Sequence, residues 1–231
     1  MLTVACVYKT FSNGSFGGAY DDSWVQKLQH GVSRHLSVPH EFVCLSDSFV
    51  PGVTVAPLRN DWEGWWSKIE LFRPSLFRGP VLSFDLDVMI TGTLDEFAGP
   101  FPNMVMLRDI IPTISNSTCM WWDASNPAYG DIYTRFRTDP DGFKRHHHLF
   151  NTQTMGDQGF ITDTMKAAGV QIDLWQDVLD PKRFEYFSAF SAAHMAYLDN
   201  PTKPETSLVY CLGKPKFNNF SDHPHVQTHW I

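Results

Sequence analysis

Short, dense apolar runs alternate along this chain with stretches in which apolar residues recur every three or four positions, the patterns of buried strands and amphipathic helices respectively. Val4 to Tyr8 reads as a first strand, followed by a loop at FSNGSFGG (11–18), where Gly, Ser and Asn interrupt any period. A helix is predicted from Asp22 or Ser23 as N-cap to about His35, with Trp24, Leu28 and Val32 at helical spacing. Glu41 to Leu45 is a second strand ending at Ser46-Asp47, and Val53 to Pro57 a short third. Trp65 to Phe72 reads as a helix stopped by Pro74. Val81 to Ile90 reads as one buried strand, bounded by Gly79-Pro80 and Gly92. Further on, Met104 to Leu107, Thr118 to Trp122, Val170 to Leu174 and Ser207 to Leu212 are predicted strands, and Asp157 to Ala168 a helix. This alternation predicts an α/β sheet whose ligands gather at the carboxyl ends of its strands. Tyr8-Lys9, Ser46-Asp47 and Asp85-Leu86-Asp87 all fall at or near such ends.

Two carboxylates, Asp85 and Asp87, interrupt the apolar 81–90 run. On a continuous strand they share one face, roughly 7 Å apart, close enough to repel in a poorly solvated place. A shared proton, a basic partner or a bound cation would relieve that repulsion. Carboxylate oxygens suit Mg²⁺ or Mn²⁺, which use one or two carboxylates while a substrate's phosphates complete the shell. Basic residues for such a site are Lys68, in DWEGWWSKIELFRP, and Lys214 and Lys216, in CLGKPKF. Taken singly, a D-x-D is a capped strand end, Lys68 a solvated helix face and GKPK a turn.

Bulk composition narrows the classes. The 231 residues, 43% hydrophobic and 19% charged, suit one large domain or a domain with a modest appendage. A formal net charge of -7 removes a broadly basic nucleic-acid surface. Cys6, Cys44, Cys119 and Cys211 are far apart in apolar runs, as buried thiols of a reducing compartment would be. The N-terminal MLTVACVYKT lacks a secretory pattern, and no apolar run approaches the ~20 residues of a membrane span. The expected location is cytoplasmic. Trp65-Trp66 and Trp121-Trp122 are expected half in the core and half on a wall. His146, His147 and His148 are expected on a surface loop, where adjacent histidines share an ion only if the backbone is irregular. The tail SDHPHVQTHWI is expected to be solvated.

The ordered set of Tyr8-Lys9, FVCLSD, WWSKIELF, FDLDVMITGTLDE, ISNSTCMWWD (114–123), GDQGF (156–160) and GKPK (213–216) resembles the GT-A nucleotide-sugar glycosyltransferases, family 8 and its bacterial and phage relatives above all. The resemblance covers about residues 3 to 217. It implies a single domain with a Rossmann-like mixed sheet flanked by helices. In it a nucleotide-binding half (about 1–95) precedes a sugar and acceptor half (about 96–217) and a tail (218–231). It further implies sugar transfer from a UDP-sugar to an acceptor hydroxyl, with Mn²⁺ or Mg²⁺ as cofactor and the anomeric configuration retained. Position by position, Tyr8, Lys9 and Asp47 would border the nucleoside, and Asp85 and Asp87 would hold the metal, with Asp85 also near the ribose. Lys68 would approach the diphosphate or sugar, and Asn116 and Ser117 would line the sugar pocket. Asp157 and Gln158 would face the reacting carbon and the acceptor, and Gly213 and Lys214 would clamp the departing diphosphate. The family's third metal ligand, a histidine ahead of the Gly-Lys-Pro element, has no counterpart in Tyr210-Cys211-Leu212, so the metal would be held either by the two aspartates and waters or with a further ligand from elsewhere, for which the tail offers His223, His225 and His229, His229 foremost.

Two other readings stand beside this one. A nucleotidyltransferase also uses aspartates and metal on an α/β sheet, but the Gly-rich loop after the first strand has no basic residue beyond Lys9. A non-catalytic nucleotide-sugar binder would accommodate the missing histidine. The acceptor, whether glycan, lipid, protein or modified nucleic-acid base, is not legible, and there is no P-loop, GxGxxG or GxSxG.

Overall fold

Seven residues, Leu2–Tyr8 (β1), form an interior strand of the larger sheet, buried almost throughout because both faces of the sheet around it are covered. The computed structural model describes residues 1–10, 20–110, 113–148, 155–187, 203–213 and 216–231. After β1 come α1 (Asp22–His35), β2 (His40–Ser46), β3 (Thr54–Pro57), a 3-10 helix (Gly64–Phe72), β4 (Pro80–Phe84) and β5 (Val88–Ile90). Then follow β6 (Met104–Arg108), β7 (Ser115–Asp123), α2 (Gly130–Phe136), α3 (Pro140–His146) and α4 (Gly156–Ala167). The chain continues through β8 (Ile172–Leu174), α5 (Trp175–Val178), β9 (Phe184–Phe187), β10 (Leu208–Cys211) and α6 (Pro224–His229). The larger sheet has the order β3-β2-β1-β4-β7-β6-β8, and a smaller one β5-β10-β9. β3, β2, β1 and β4 run parallel, β7 lies antiparallel between β4 and β6, and β8 pairs parallel with β6. This is the expected α/β mixed sheet flanked by helices.

Two apolar layers sandwich the large sheet. One packs Trp24, Leu28 and Val32 of α1 and the small sheet against Val4, Cys6 and Leu82. The other packs Trp66, Ile69 and Phe72 of the 3-10 helix and Phe136 and Phe160 of α2 and α4 against Ala5, Val81 and Met120. Strand alternation sends Trp121 to the first layer and Trp122 to the second, so both are core. Trp66 is core too, and Trp65 alone of the four is half-buried, which corrects the half-wall expectation for the 121–122 pair. All four cysteines are buried free thiols.

The aspartate run differs from the sequence reading. Its apolar residues are not one strand: β4 stops at Phe84, residues 85–87 turn, and β5 joins the other sheet by pairing antiparallel with β10. Both strands are buried on two sides, so the apolar run continues across the break and periodicity cannot show it. The same-face geometry expected for Asp85 and Asp87 is therefore replaced by a turn at a sheet edge. Gly92, just beyond β5, is where the backbone comes close to its neighbour: a Cβ there would lie 2.6 Å from the Thr206 carbonyl oxygen.

The tail is folded, not solvated. Asp222 precedes an α6 capped by the His223 side chain, which accepts from the His225 N–H, and Val226 and Trp230 are buried. Trp230 meets Trp24 edge-on at 5.2 Å between centroids, anchoring the tail on α1. The histidine triplet likewise lies at the end of α3, not on an extended loop, with His147 as the C-cap.

Candidate functional site

Parallel pairing of β1 with β2, in register from Leu2↔His40 to Tyr8↔Ser46, brings the residues after both strands together. Lys9 Nζ lies 3.2 Å from Asp47 Oδ2 and 2.7 Å from Asp61 Oδ1. The Thr10 N–H and hydroxyl donate to Asp47 at 2.9 and 3.1 Å. Burial works against the Asp47 charge, but these donors outweigh it and hold the carboxyl below its usual range. Burial likewise opposes the Lys9 charge, and bonds to Asp61 and Asp47 raise the amine above its ordinary value. Tyr8 is buried beside them, its hydroxyl pushed up by burial and then by Asp22 and Asp21.

β4 pairs with β1 on the other side, so Asp85 emerges at the same sheet edge. Its N–H donates to the Thr118 carbonyl at 2.8 Å, and the Thr118 hydroxyl to its Oδ2 at 3.1 Å. The 3-10 helix buries Lys68 against this point. Its Nζ lies 2.7 Å from Asp85 Oδ1, 2.9 Å from Ser117 Oγ and 3.2 Å from Asp157 Oδ2. Ser117 Oγ in turn donates to Asp157 Oδ2 at 2.7 Å. One ammonium thus joins the 3-10 helix, β4, β7 and the first turn of α4. Burial works against the Lys68 charge, but Asp157 and Asp85 more than reverse it, holding the amine above its usual pKa. Asp85 shows the converse: burial raises its pKa, Lys68 pulls it back, and Asp87 and Asp157 add to the rise.

Asp87, buried, accepts from the Tyr20 hydroxyl at 3.2 Å and from the Lys216 ammonium. Burial opposes the Lys216 charge, and Asp87 then raises its pKa above the ordinary value. The conflict between neighbouring carboxylates is therefore met by basic partners, one lysine for each. Tyr20 carries no local sequence signal: it is the first described residue after the Gly-rich loop. Lys216 was visible only as the second lysine of GKPK.

Asn116 and Gln158 are organised by an aspartate the sequence reading missed. Asp109 Oδ2, just past β6, accepts from Asn116 Nδ2 at 3.0 Å and Gln158 Nε2 at 2.9 Å. Asn116 Oδ1 accepts from the Thr118 N–H at 2.9 Å. A register shift between Met106 and Leu107, where the β6 partner moves from Met120 to Asn116, bulges β7 and turns Ser117 and Thr118 toward Lys68 and Asp85. An acid directly following a strand in MVMLRD was the available signal for Asp109.

Tyr8, Lys9 and Asp47 form one group at this sheet edge. Lys68, Asp85, Ser117 and Asp157 form a second, and Asp109 joins Asn116 to Gln158, the chain neighbours of Ser117 and Asp157. Gly213 follows β10 with φ 76° in the left-handed region, where glycine is favoured. Lys214 lies outside the described residues. His229 is not brought to the aspartates. It lies on α6 with its ring 4.7 Å from that of His225, and Arg34 donates to its carbonyl at 2.8 Å, because Trp230 docks the tail on α1. Burial, then His225, His35 and Arg34, lowers its pKa to about 4. The oxygen donors of Asp85 and Asp87 have the hard character that Mg²⁺ or Mn²⁺ requires; no third side-chain ligand joins them among the described residues.

No family model and no curated protein matches the sequence. Solved structures do match the fold. The glycosyltransferase GlyE of Streptococcus pneumoniae TIGR4 aligns over 94% of this chain at TM-score 0.62 and 13% identity, and the match covers 56% of the GlyE chain. An active-site glutamine-to-glutamate mutant of LgtC aligns over 93% of this chain and 89% of its own at TM-score 0.57 and 9% identity. Galactosyltransferase LgtC with donor and acceptor sugar analogues aligns at TM-score 0.52 and 9% identity, over 93% and 88% of the two chains. The chain thus has a fold found in glycosyltransferases, as the sequence resemblance implied, and spans little more than half the length of GlyE.

Proposed function

We propose that this chain is a glycosyltransferase that moves a sugar from a nucleotide-sugar, with UDP as the nucleotide, to an acceptor hydroxyl. The observation that carries the reading is the Lys68 ammonium joined to Asp85, Ser117 and Asp157 at the carboxyl edge of a sheet of this fold. In this reading Tyr8, Lys9 and Asp47 border the nucleoside and Asn116 and Ser117 line the sugar. Asp157 and Gln158 face the reacting carbon, the latter oriented by Asp109.

The bond from the anomeric carbon to the diphosphate oxygen breaks, the acceptor oxygen bonds to that carbon, and the acceptor hydroxyl gives its proton to the departing diphosphate. The protein's task is to hold the partners in place and to neutralise the diphosphate as it departs. Lys216, with Gly213 and Lys214 beside it in GKPK, and Lys68 supply positive charge for that purpose. Asp85 and Asp87 would hold Mn²⁺ or Mg²⁺, which when bound shields the diphosphate charge. Retention at the anomeric carbon follows from the family 8 resemblance, and the buried free thiols favour a reducing, cytoplasmic setting. No helix among the described residues is long and apolar enough to cross a membrane.

Incubation with a panel of UDP-sugars and Mn²⁺, without acceptor, tests the reading. Slow release of free sugar and UDP is expected, falling by roughly 100-fold or more in Lys68→Ala. Folded wild-type protein that hydrolyses none of them, nor any other nucleotide-sugar, would contradict transfer and leave a binder.

A further inference from the structure

The histidine triplet, unused by the site above, has a geometry of its own. His146 ends α3 and His147 is its C-cap, with φ -95° and ψ 42°. That departure from helical backbone is what lets adjacent histidines turn toward a common point. Asp163 approaches the same point from α4. One ligand atom from each of His146, His147 and Asp163 lies within 4.8 Å of the others.

The ring of His147 is held in place. The backbone N–H of His147 donates to the Phe143 carbonyl at 2.8 Å and its backbone carbonyl accepts from the Gly156 N–H at 2.8 Å, which fixes the main chain, and the Phe160 ring meets the imidazole edge-on at 5.5 Å. It is 3% exposed, so it is an imidazole kept inside the protein. Its Nε2 stands 3.9 Å from Asp163 Oδ2. That is too long for a direct hydrogen bond. Two atoms bound to one tetrahedral ion at about 2.0–2.1 Å lie roughly 3.3 to 3.4 Å apart, so a shift of about half an ångström by the Asp163 carboxylate, which is not fully buried, brings the pair to the spacing of a shared cation. His146 is exposed, and its ring stands edge-on to that of His147 with centroids 4.8 Å apart.

We propose that His146, His147 and Asp163 form a transition-metal site, for Zn²⁺ in the first instance, separate from the aspartates of the donor site. Two imidazoles and a carboxylate favour Zn²⁺, Co²⁺ or Ni²⁺, whereas the oxygen-only pair Asp85 and Asp87 favours Mg²⁺ or Mn²⁺. Three protein ligands leave one tetrahedral position for water. A bound ion ties the end of α3 to α4, the helix that carries Asp157 and Gln158, and so closes the connection between them. The site is a structural clip on the sugar-facing helix, and its existence does not depend on the sugar-transfer reading.

Tag-free protein is titrated with Zn²⁺ by calorimetry and with Co²⁺ by visible absorption at neutral pH. One equivalent of Zn²⁺ is expected, with Co²⁺ giving the intense bands of a tetrahedral site and Mg²⁺ no competition. His146→Ala and Asp163→Asn, both at side chains that are not fully buried, should each weaken Zn²⁺ by roughly 10- to 100-fold or more, and Asp87→Ala should leave it unchanged. Binding unaltered in both ligand variants, binding lost in Asp87→Ala, or wild type that takes up no Zn²⁺ would each overturn the proposal. Nucleotide binding is read separately and answers only for the donor site.

Discussion

Lys68 shows how far a single residue's role can be read in advance. A lysine in WWSKIELF reads alone as a solvated helix face, and only its place ahead of the aspartate run gives it a diphosphate role. In the fold it is buried, with two carboxylates and a hydroxyl around its ammonium. Lys68→Met removes that charge and leaves Asp85 and Asp157 facing each other in a poorly solvated place. Breaking a buried pair from one side costs about 3 kcal/mol or more, so urea denaturation at neutral pH should show a loss of that size. A loss under about 1 kcal/mol, the scale of a surface pair, would mean that the network contributes little to the fold. Tyr20 and Thr118 were not legible because each acts through a partner distant in sequence, Asp87 and Asp85 respectively, and Asp109 showed only as an acid after a strand, its partner Gln158 lying 49 residues on. Local pattern carries no information on such pairs.

Among the elements, strands and helices with a clear period appeared where the pattern put them, within two residues at their ends except for β7, which begins three residues before the expected Thr118. α1 spans Asp22–His35, with Asp21 as the N-cap whose side chain accepts from the Ser23 N–H. The failures share a cause. The aspartate run crosses between two sheets, and α6 is too short and polar to announce itself, though Val226 and Trp230 bury its inner side. That docking has a measurable pH signature. His229 is held neutral, with its pKa lowered to about 4, and His225 and His35 are lowered too. As pH falls below about 6.5 the unfolded chain takes up protons first, while the folded His229 does so only near 4, so stability present above 6.5 is lost between those values. Thermal unfolding scanned from pH 7 to pH 4.5 should show this decline, and His229→Gln should flatten it. An equally steep decline in the variant would place the titration elsewhere.

Across the whole molecule, the parallel run β3-β2-β1-β4 brings the ends of β2, β1 and β4 to one edge, and the antiparallel β7 returns Ser117 and Thr118 to it. Alternating strands and helices already implied such an edge, and the ordered motifs implied the fold that GlyE and LgtC share with this chain. The third metal ligand sought in the tail is not there, and lysines face both aspartates. The proposed donor site therefore rests on Asp85, Asp87, Lys68 and Lys216, and the measurement that tests it most directly is calorimetric titration of UDP, GDP and CDP, each with and without Mn²⁺, on wild type and Asp87→Ala. UDP binding that requires Mn²⁺, exceeds GDP and CDP, and disappears in Asp87→Ala is the predicted result. No binding of any nucleotide at millimolar concentration, or UDP binding indifferent to both Mn²⁺ and Asp87, would contradict it and leave the two aspartates as the capped end of a strand.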